Sequence, residues 1–413
     1  MSNKFIGLKN CRSAHICGNI TYVSTDFSIY ILDEITTKFL SVLKNDSSYG
    51  TVIDCFQSKM NLDLTETIKL IQEILEVNEA FIGFSKCANQ IKITGKEGVA
   101  FPQNVQISLT NKCIHLCKHC FKNCKKHGNE LPYEKVVDLI EQLKEECQQI
   151  ELTGGEPFLY PYIIKLVNEY HKEILFNITT SGYLLKKFKI EDLKKFNLIQ
   201  ISLLGSTASL HDNFVGVKGS YEIVTNNIRW LCENDIEVIV SRTITVFEQK
   251  EVENFIELCR SFGVKHILFG IVLDIGRAEY AHCGTGQEEQ KKLEDFLKEN
   301  SKKYNGIEIM IDNENKYFKG KSRDVFHCVG GRLRWYIEES GEIFPCTYCL
   351  RKELSMGNYI EDKMVVSKLL YTNFYDKYNG RIATELFKSN KKQFWNDYLN
   401  KICHNIRVPE IEK

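Results

Sequence analysis

Apolar residues recur along this chain in two rhythms, and the handover between them divides it into regions. The first region, residues 1–95, mixes both. Short β-rich runs at 19–23 and 28–32 flank the turn-like Ser24, Thr25 and Asp26. Helical spacing follows at 35–43, 49–59 and 64–77. In the last stretch Leu64, Ile68, Leu70, Ile71 and Ile74 recur at helical intervals, with Asp63 placed as N-cap. A hairpin followed by three helices predicts a winged-helix-like α+β module.

From about residue 100 to 286 the two rhythms alternate. Apolar β-rich runs at 105–109, 150–153, 175–179, 198–203, 237–246 and 266–273 are separated by amphipathic helices. Tyr133, Val136, Val137, Ile140, Leu143 and Cys147 line one helix face, and Val252, Phe255, Ile256 and Cys259 line another. Six strand–helix units imply parallel strands with helical crossovers. They are too few for a closed eightfold barrel, so the fold class is α/β with a partial (β/α)6 TIM-like barrel. The alternation stops near 287. A connecting helix and strand over 287–320 lead to a small cysteine-containing β-hairpin domain over 321–413.

Composition narrows the picture. The chain has 413 residues, enough for several domains, and 43% of them are hydrophobic, enough for real cores. Lys plus Arg and Asp plus Glu balance at 54 each, so no basic nucleic-acid surface is indicated. The first ten residues lack the apolar stretch of a signal peptide, and no run approaches a membrane span. A cytoplasmic protein is expected, with neither nucleic acid nor membrane as partner. In such a compartment sixteen cysteines point to metal rather than disulfides where they cluster.

They cluster first after the first barrel strand. Cys113, Cys117 and Cys120 form C-x3-C-x2-C at the C-terminal end of that strand, where α/β folds carry their chemistry. Three thiolates on one loop can hold three irons of a cubane and leave the fourth open to a ligand, whereas electron carriers use four cysteines. Cys117, Cys120 and Cys124 also read C-x2-C-x3-C, so a four-thiolate zinc or ferredoxin-like site fits the same loop. The second strand ends in Gly154, Gly155, Glu156 and Pro157. Paired glycines admit a close backbone approach, and a carboxylate there can accept from a ligand ammonium.

Together the two motifs resemble the radical S-adenosylmethionine (SAM) superfamily. The resemblance implies a SAM site built from Gly154, Gly155, Glu156, Pro157, from Thr180 and Ser181 after strand three, and from Ser202 in the ribose-contacting segment. That segment often carries Asp where this chain has Leu204. It further implies Arg242 at the SAM carboxylate and Arg277, in Gly276–Arg277–Ala278, near the adenine; a mid-strand Arg such as Arg242 reads equally as an ion-pair residue. His119, beside the third cysteine, is expected to shield the cluster. SAM would chelate the open iron of a [4Fe–4S] cluster, an electron would cleave its carbon–sulfur bond, and the resulting radical would abstract hydrogen from an unactivated carbon.

Near the C-terminus, alternation in 334–337 and 342–344 around Glu339, Ser340 and Gly341 marks a hairpin that draws Cys328 and Cys346 together. Cys328-x12-Gly341-x4-Cys346 resembles the opening of SPASM and twitch auxiliary-cluster domains. The longer SPASM cysteine run is missing, so the twitch form is implied. One auxiliary cluster, [4Fe–4S] or [2Fe–2S], would use Cys328, Cys346, Cys349 and Cys403, with a zinc ribbon as the competing fit. The order of the three regions is similar to that of radical SAM peptide maturases, sactionine synthases in particular. That similarity implies a precursor peptide bound through its leader by the N-terminal module, a reducing electron donor, and a bond from cysteine sulfur to an α-carbon. Carbon–carbon linkage or epimerisation of a peptide, and a non-catalytic iron–sulfur or zinc adaptor, are the alternatives. No residue stands out as a catalytic acid or base.

Overall fold

The strand rhythm of the middle region becomes the main sheet of the protein. A computed structural model describes residues 4–25, 29–272, 275–311, 330–347, 350, 352 and 355–371. The N-terminal elements are β1 (Phe5–Leu8), β2 (Ser13–Gly18), β3 (Ile20–Ser24), β4 (Ile29–Leu32), α1 (Glu34–Leu43), α2 (Tyr49–Met60), α3 (Leu64–Val77), β5 (Ile82–Ser85) and β6 (Ile93–Glu97). The three helices lie where the spacing places them. Asp63 caps α3 in a reciprocal box: it accepts from the Glu66 N–H at 2.8 Å, and Glu66 accepts from the Asp63 N–H at 3.2 Å.

The region is richer in strand than a hairpin and three helices. Its sheet runs β4-β3-β2-β6, and β1 pairs with β5. Because β6 extends to Glu97, the sheet runs past the expected boundary at 95. β2 escapes a period-two reading because it is buried on both faces and carries the polar His15. That imidazole is fully buried. Its Nε2–H donates to the Phe101 carbonyl at 2.8 Å, which leaves Nδ1 to accept from the Thr94 hydroxyl at 2.9 Å.

The six expected barrel strands appear as β7 (Asn104–Thr110), β8 (Gln149–Gly154), β9 (Leu175–Thr180), β10 (Leu198–Ser202), β11 (Val238–Ile244) and β12 (His266–Ile271). They pair in parallel, each with its sequence neighbour. The covering helices are α4 (Tyr133–Leu143), α5 (Ile163–Tyr170), the short α6 (Ile190–Leu193), α7 (Ala208–Val215), α8 (Ser220–Glu233) and α9 (Gln249–Ser261). Val136, Leu139, Ile140 and Leu143 of α4 and Val252, Phe255, Ile256 and Cys259 of α9 are buried, as helical periodicity requires.

The sheet extends beyond these six strands at both edges. After α10 (Arg277–Ala281) and α11 (Gln287–Glu299), β13 (Glu308–Ile311) joins the sheet parallel to β12. At the other edge β14 (Arg334–Ile337) pairs in parallel with β7, and β15 (Glu342–Phe344) and β16 (Gly357–Asn358) follow in antiparallel order before α12 (Val365–Tyr371). The order is β13-β12-β11-β10-β9-β8-β7-β14-β15-β16. The helix and strand expected over 287–320 are α11 and β13, and the strands described within 321–413 extend the same open sheet from its other edge. Local periodicity cannot show this: Trp335, Tyr336 and Ile337 are all buried, and the partner of β14 lies far back in the chain. Parallel pairing sets the C-terminal ends of these strands along one rim, where Thr110, Gly154, Thr180, Ser202, Ile271 and Ile337 lie.

Candidate active site

The chain leaves β7 at Thr110 and folds into a loop fixed by its own backbone. The Cys113 N–H donates to the Lys125 carbonyl at 2.7 Å, and Leu116 and Lys118 donate to Val215 and Phe214 at 2.9 and 3.1 Å. Cys113 is buried; Cys117 and Cys120 are half-buried. The three thiols share one electrostatic neighbourhood. Burial raises the Cys117 pKa, and the charges of Cys113 and Cys120 raise it further. Burial pushes Cys113 up to about 12, with the charge of Glu156 adding to the effect. Cys124, buried beside them, donates its N–H to Cys120 Sγ at 3.4 Å. Hydrogen bonding from Cys124 is the main reason Cys120 is lowered to about 6.

Among the described residues no three Cys, His, Asp or Glu side chains gather tightly enough for a single metal ion. Cys113, Cys117 and Cys120 stand on one short loop after β7, each with its own place in the backbone.

The glycine pair serves that loop directly. A Cβ on Gly154 (φ +148°) would lie 2.3 Å from the Thr110 carbonyl oxygen, and one on Gly155 would lie 2.2 Å from that of Lys112. In their place run tight backbone bonds, Gly155 N–H to Thr110 O at 2.6 Å and Glu156 N–H to Lys112 O at 2.8 Å. The close approach these glycines permit is thus to the root of the cysteine loop. Glu156 is fully buried. Its carboxylate accepts from the Phe158 N–H at 3.1 Å, Thr180 Oγ1 at 2.7 Å, the Ser181 N–H at 2.9 Å and the Ser181 hydroxyl. Burial raises its pKa while these donors oppose the shift. Pro157 opens the short 3-10 turn that follows. Gly154, Gly155, Glu156, Pro157, Thr180 and Ser181 therefore form one assembly across the ends of β8 and β9.

Strand alternation decides the next two residues. In β10, Ile199 and Ile201 are buried and Ser202 stands on the opposite, more accessible face. In β11, Val238, Val240, Arg242 and Ile244 share the buried face. Arg242 lies 5.0 Å over the Phe255 ring of α9 and pairs with Glu251 at 2.9 Å. Glu251 also accepts from the Ser206 N–H at 2.8 Å. Arg242 thus stands on the helix side of the sheet in an ion pair, on the opposite face from Ser202.

Arg277 reaches back to the cysteine loop. Its Nε donates to the Cys117 carbonyl at 2.8 Å, and Nη1 donates to the Cys124 carbonyl at 2.6 Å and to Asn123 Oδ1 at 3.2 Å. Its backbone N–H reaches the Cys120 carbonyl at 3.0 Å. Gly276, at φ +60°, is required there, since a Cβ would sit 2.3 Å from the Phe121 carbonyl oxygen. The turn grips the cysteine loop. His119 stacks on Phe214 with centroids 5.1 Å apart, and burial lowers its pKa to about 4.

One group escaped the sequence reading. His211 Nδ1 accepts from the Leu204 N–H at 3.0 Å, so its Nε2 carries the proton and donates to Ser220 Oγ at 3.1 Å. Ser220 in turn donates to His115 Nε2 at 3.0 Å. This buried relay ties the end of β10 to the cysteine loop, and nothing in the spacing of His115, His211 and Ser220 announces it. Of the auxiliary ligands, Cys346 is buried just beyond β15. Cys328, Cys349 and Cys403 lie outside the described residues.

A three-thiol loop stands at the rim of an open parallel sheet, its root held by the backbone of a buried glutamate just after the next strand. Residues 107–273 match the family model of the Radical SAM superfamily, and this chain carries a radical SAM domain. Two curated proteins of Bacillus subtilis (strain 168) are similar to it. One is the sporulation killing factor maturation protein SkfB, 26% identical over 281 residues, covering 66% of each chain. The other is the antilisterial bacteriocin subtilosin biosynthesis protein AlbA, 25% identical over 296 residues, covering 68% of this chain and 62% of its own. Each match spans slightly under two thirds of the relative's length. Streptococcus suis SuiB bound to S-adenosylmethionine shares the fold, with a TM-score of 0.62 at 16% identity over 89% of this chain and 88% of that one. Among the described residues no helix is long and apolar enough to cross a membrane.

Proposed function

We propose that this protein is a radical SAM peptide maturase that installs a thioether, from cysteine sulfur to an α-carbon, in a ribosomally made precursor. The observation carrying this reading is the similarity to SkfB and AlbA, named for maturation or biosynthesis of a killing factor and a bacteriocin. Cys113, Cys117 and Cys120 would hold a [4Fe–4S] cluster with an open iron. Gly154, Gly155, Glu156, Pro157, Thr180, Ser181 and Ser202 would shape the SAM side of the rim. When bound, the cluster and SAM supply reductive cleavage of SAM and hydrogen-atom abstraction.

The residues around them hold the geometry. Arg277 and the His115–Ser220–His211 relay fix the loop, and the buried face of His119 keeps water from it. Cys346, with Cys328, Cys349 and Cys403, would carry one auxiliary cluster. The N-terminal sheet would take the leader of the precursor as an added strand, and a cellular reductant would supply electrons.

The test is 5′-deoxyadenosine formation from SAM by anaerobically reconstituted, reduced protein, beside Cys117→Ala. Product from the first and none from the second is expected. Iron-loaded, reducible protein that makes none would sink the enzyme reading and leave an iron–sulfur adaptor. With a precursor encoded beside the gene, the peptide should lose two hydrogens in mass only when its cysteine is present. Loss that persists without cysteine would instead assign a carbon–carbon linkage, and a change without mass loss would assign epimerisation.

A further inference from the structure

We propose that Lys122 sets the reduction potential of the cluster on the cysteine loop through a buried charge cluster shared with the turn after β14; this rests on the cluster assignment above. Lys122 follows Cys120 by two positions, and its side chain is 3% exposed. Its ammonium donates to Ser108 Oγ at 3.0 Å, Glu338 Oε1 at 3.3 Å and Glu339 Oε2 at 2.5 Å. Ser108 closes the ring by donating to the same Glu339 oxygen at 2.9 Å. The ammonium lies 5.4 Å from the Tyr336 ring centre, and that residue is fully buried.

These groups come from three places that only the sheet topology joins. Ser108 is on β7, Tyr336 is on β14, and Glu338 and Glu339 follow β14 at the rim. The register pairs Tyr336 with Gln106 and Ile337 with Ile107, so both strands deliver their ends beside the loop. At the other end of the residue, the Lys122 backbone lies in the turn that wraps Cys120, where the Asn123 N–H donates to the Cys120 carbonyl at 3.2 Å and the Cys124 N–H to Cys120 Sγ at 3.4 Å.

Adhesion alone would be served as well by apolar side chains, because burying charges costs most of what their attraction returns. What charges add is a field that falls off slowly in a low-dielectric site. One ammonium against two carboxylates leaves a net charge of −1, with the positive member on the loop and the negative members on the hairpin. Reduction adds an electron to the cluster, so each group shifts the potential by its own sign.

The experiment is an EPR-monitored redox titration of the anaerobically reconstituted full chain, following the signal that SAM perturbs, which singles out the cluster with the open iron. Lys122→Met should move the midpoint to more negative potential. Glu339→Gln should move it to more positive potential, and the double variant should fall between them. Glu338→Gln, at the 24% exposed edge of the cluster, leaves no cavity and should also move it positive, by less. Opposite signs cannot come from a merely structural role, which would move every variant alike or none. A midpoint that shifts in one direction for all variants, or stays fixed, overturns the proposal while the cluster assignment stands. A wild-type protein without any SAM-perturbed signal removes the cluster assignment and this proposal with it.

Discussion

Arg277→Met separates the two roles open to that residue. The substitution keeps the side-chain bulk, the backbone bond to Cys120 and the tight turn at Gly276. It removes the bonds to the Cys117 and Cys124 carbonyls, at 2.8 and 2.6 Å, and a longer, exposed one to Asn123. A charge-assisted bond contributes about 1.5–3 kcal/mol, and the exposed one close to nothing. Discounting two such bonds for the half-exposed position of Arg277, about 2–4 kcal/mol of loop order should be lost. At tenfold per 1.4 kcal/mol, amide exchange across residues 113–124 should accelerate roughly 30- to 700-fold. Hydrogen exchange with mass spectrometry on the iron-free protein measures this directly, with α4 as an internal reference that should not change. Unchanged protection in the loop, together with weakened SAM binding by loaded protein, would refute the clamp and restore Arg277 to the adenine.

Arg242→Met should leave the KM for SAM unaltered but destabilise the fold by about 3–5 kcal/mol, because it strands a mostly buried Glu251; thermal melts and SAM kinetics check the two halves. Gly155→Ala forces a Cβ onto the Lys112 carbonyl 2.2 Å away, so the loop must shift, and iron content per chain after reconstitution should fall well below wild type. His15 is lowered to about 4 by burial, below its usual 6.5, so the unfolded chain binds more protons between those values. Its contribution is fully present above pH 6.5 and is lost as pH falls toward 4, about 3 kcal/mol in all. Chemical denaturation of wild type against His15→Gln across that window should show the steeper loss in wild type, and equal slopes would contradict it.

Much of this architecture was legible because it depends on short range. Helix α3 announces itself through the spacing of Ile71 and Ile74 and the cap at Asp63. The six central strands and the three-cysteine loop lie in contiguous sequence, and Glu156 follows its glycines at once. What stayed hidden depends on distant pairing or on facing. Nothing near Arg334 tells that β14 lies against β7. The side of the sheet taken by Arg242 turns on one residue of register, and Arg277 meets the loop only through a crossover. His15 conceals β2 because a satisfied, buried imidazole looks polar in a sequence.

The pairing of β7 with β14 also fixes a schedule for synthesis. Asn104, at the start of β7, leaves the ribosome 230 residues before Arg334, its partner in the register. At about 5–20 residues per second that interval is roughly 10–50 s. Throughout it one edge of the nascent sheet stands open beside the cysteine loop, offering unpaired backbone to any other strand. The charges of Glu338 and Glu339 arrive only at the end of the same interval, so Lys122 waits for its counter-ions while the loop is already made. A nascent chain of this design needs protection of that edge until β14 arrives, because the cysteine loop is held from one side alone throughout the interval.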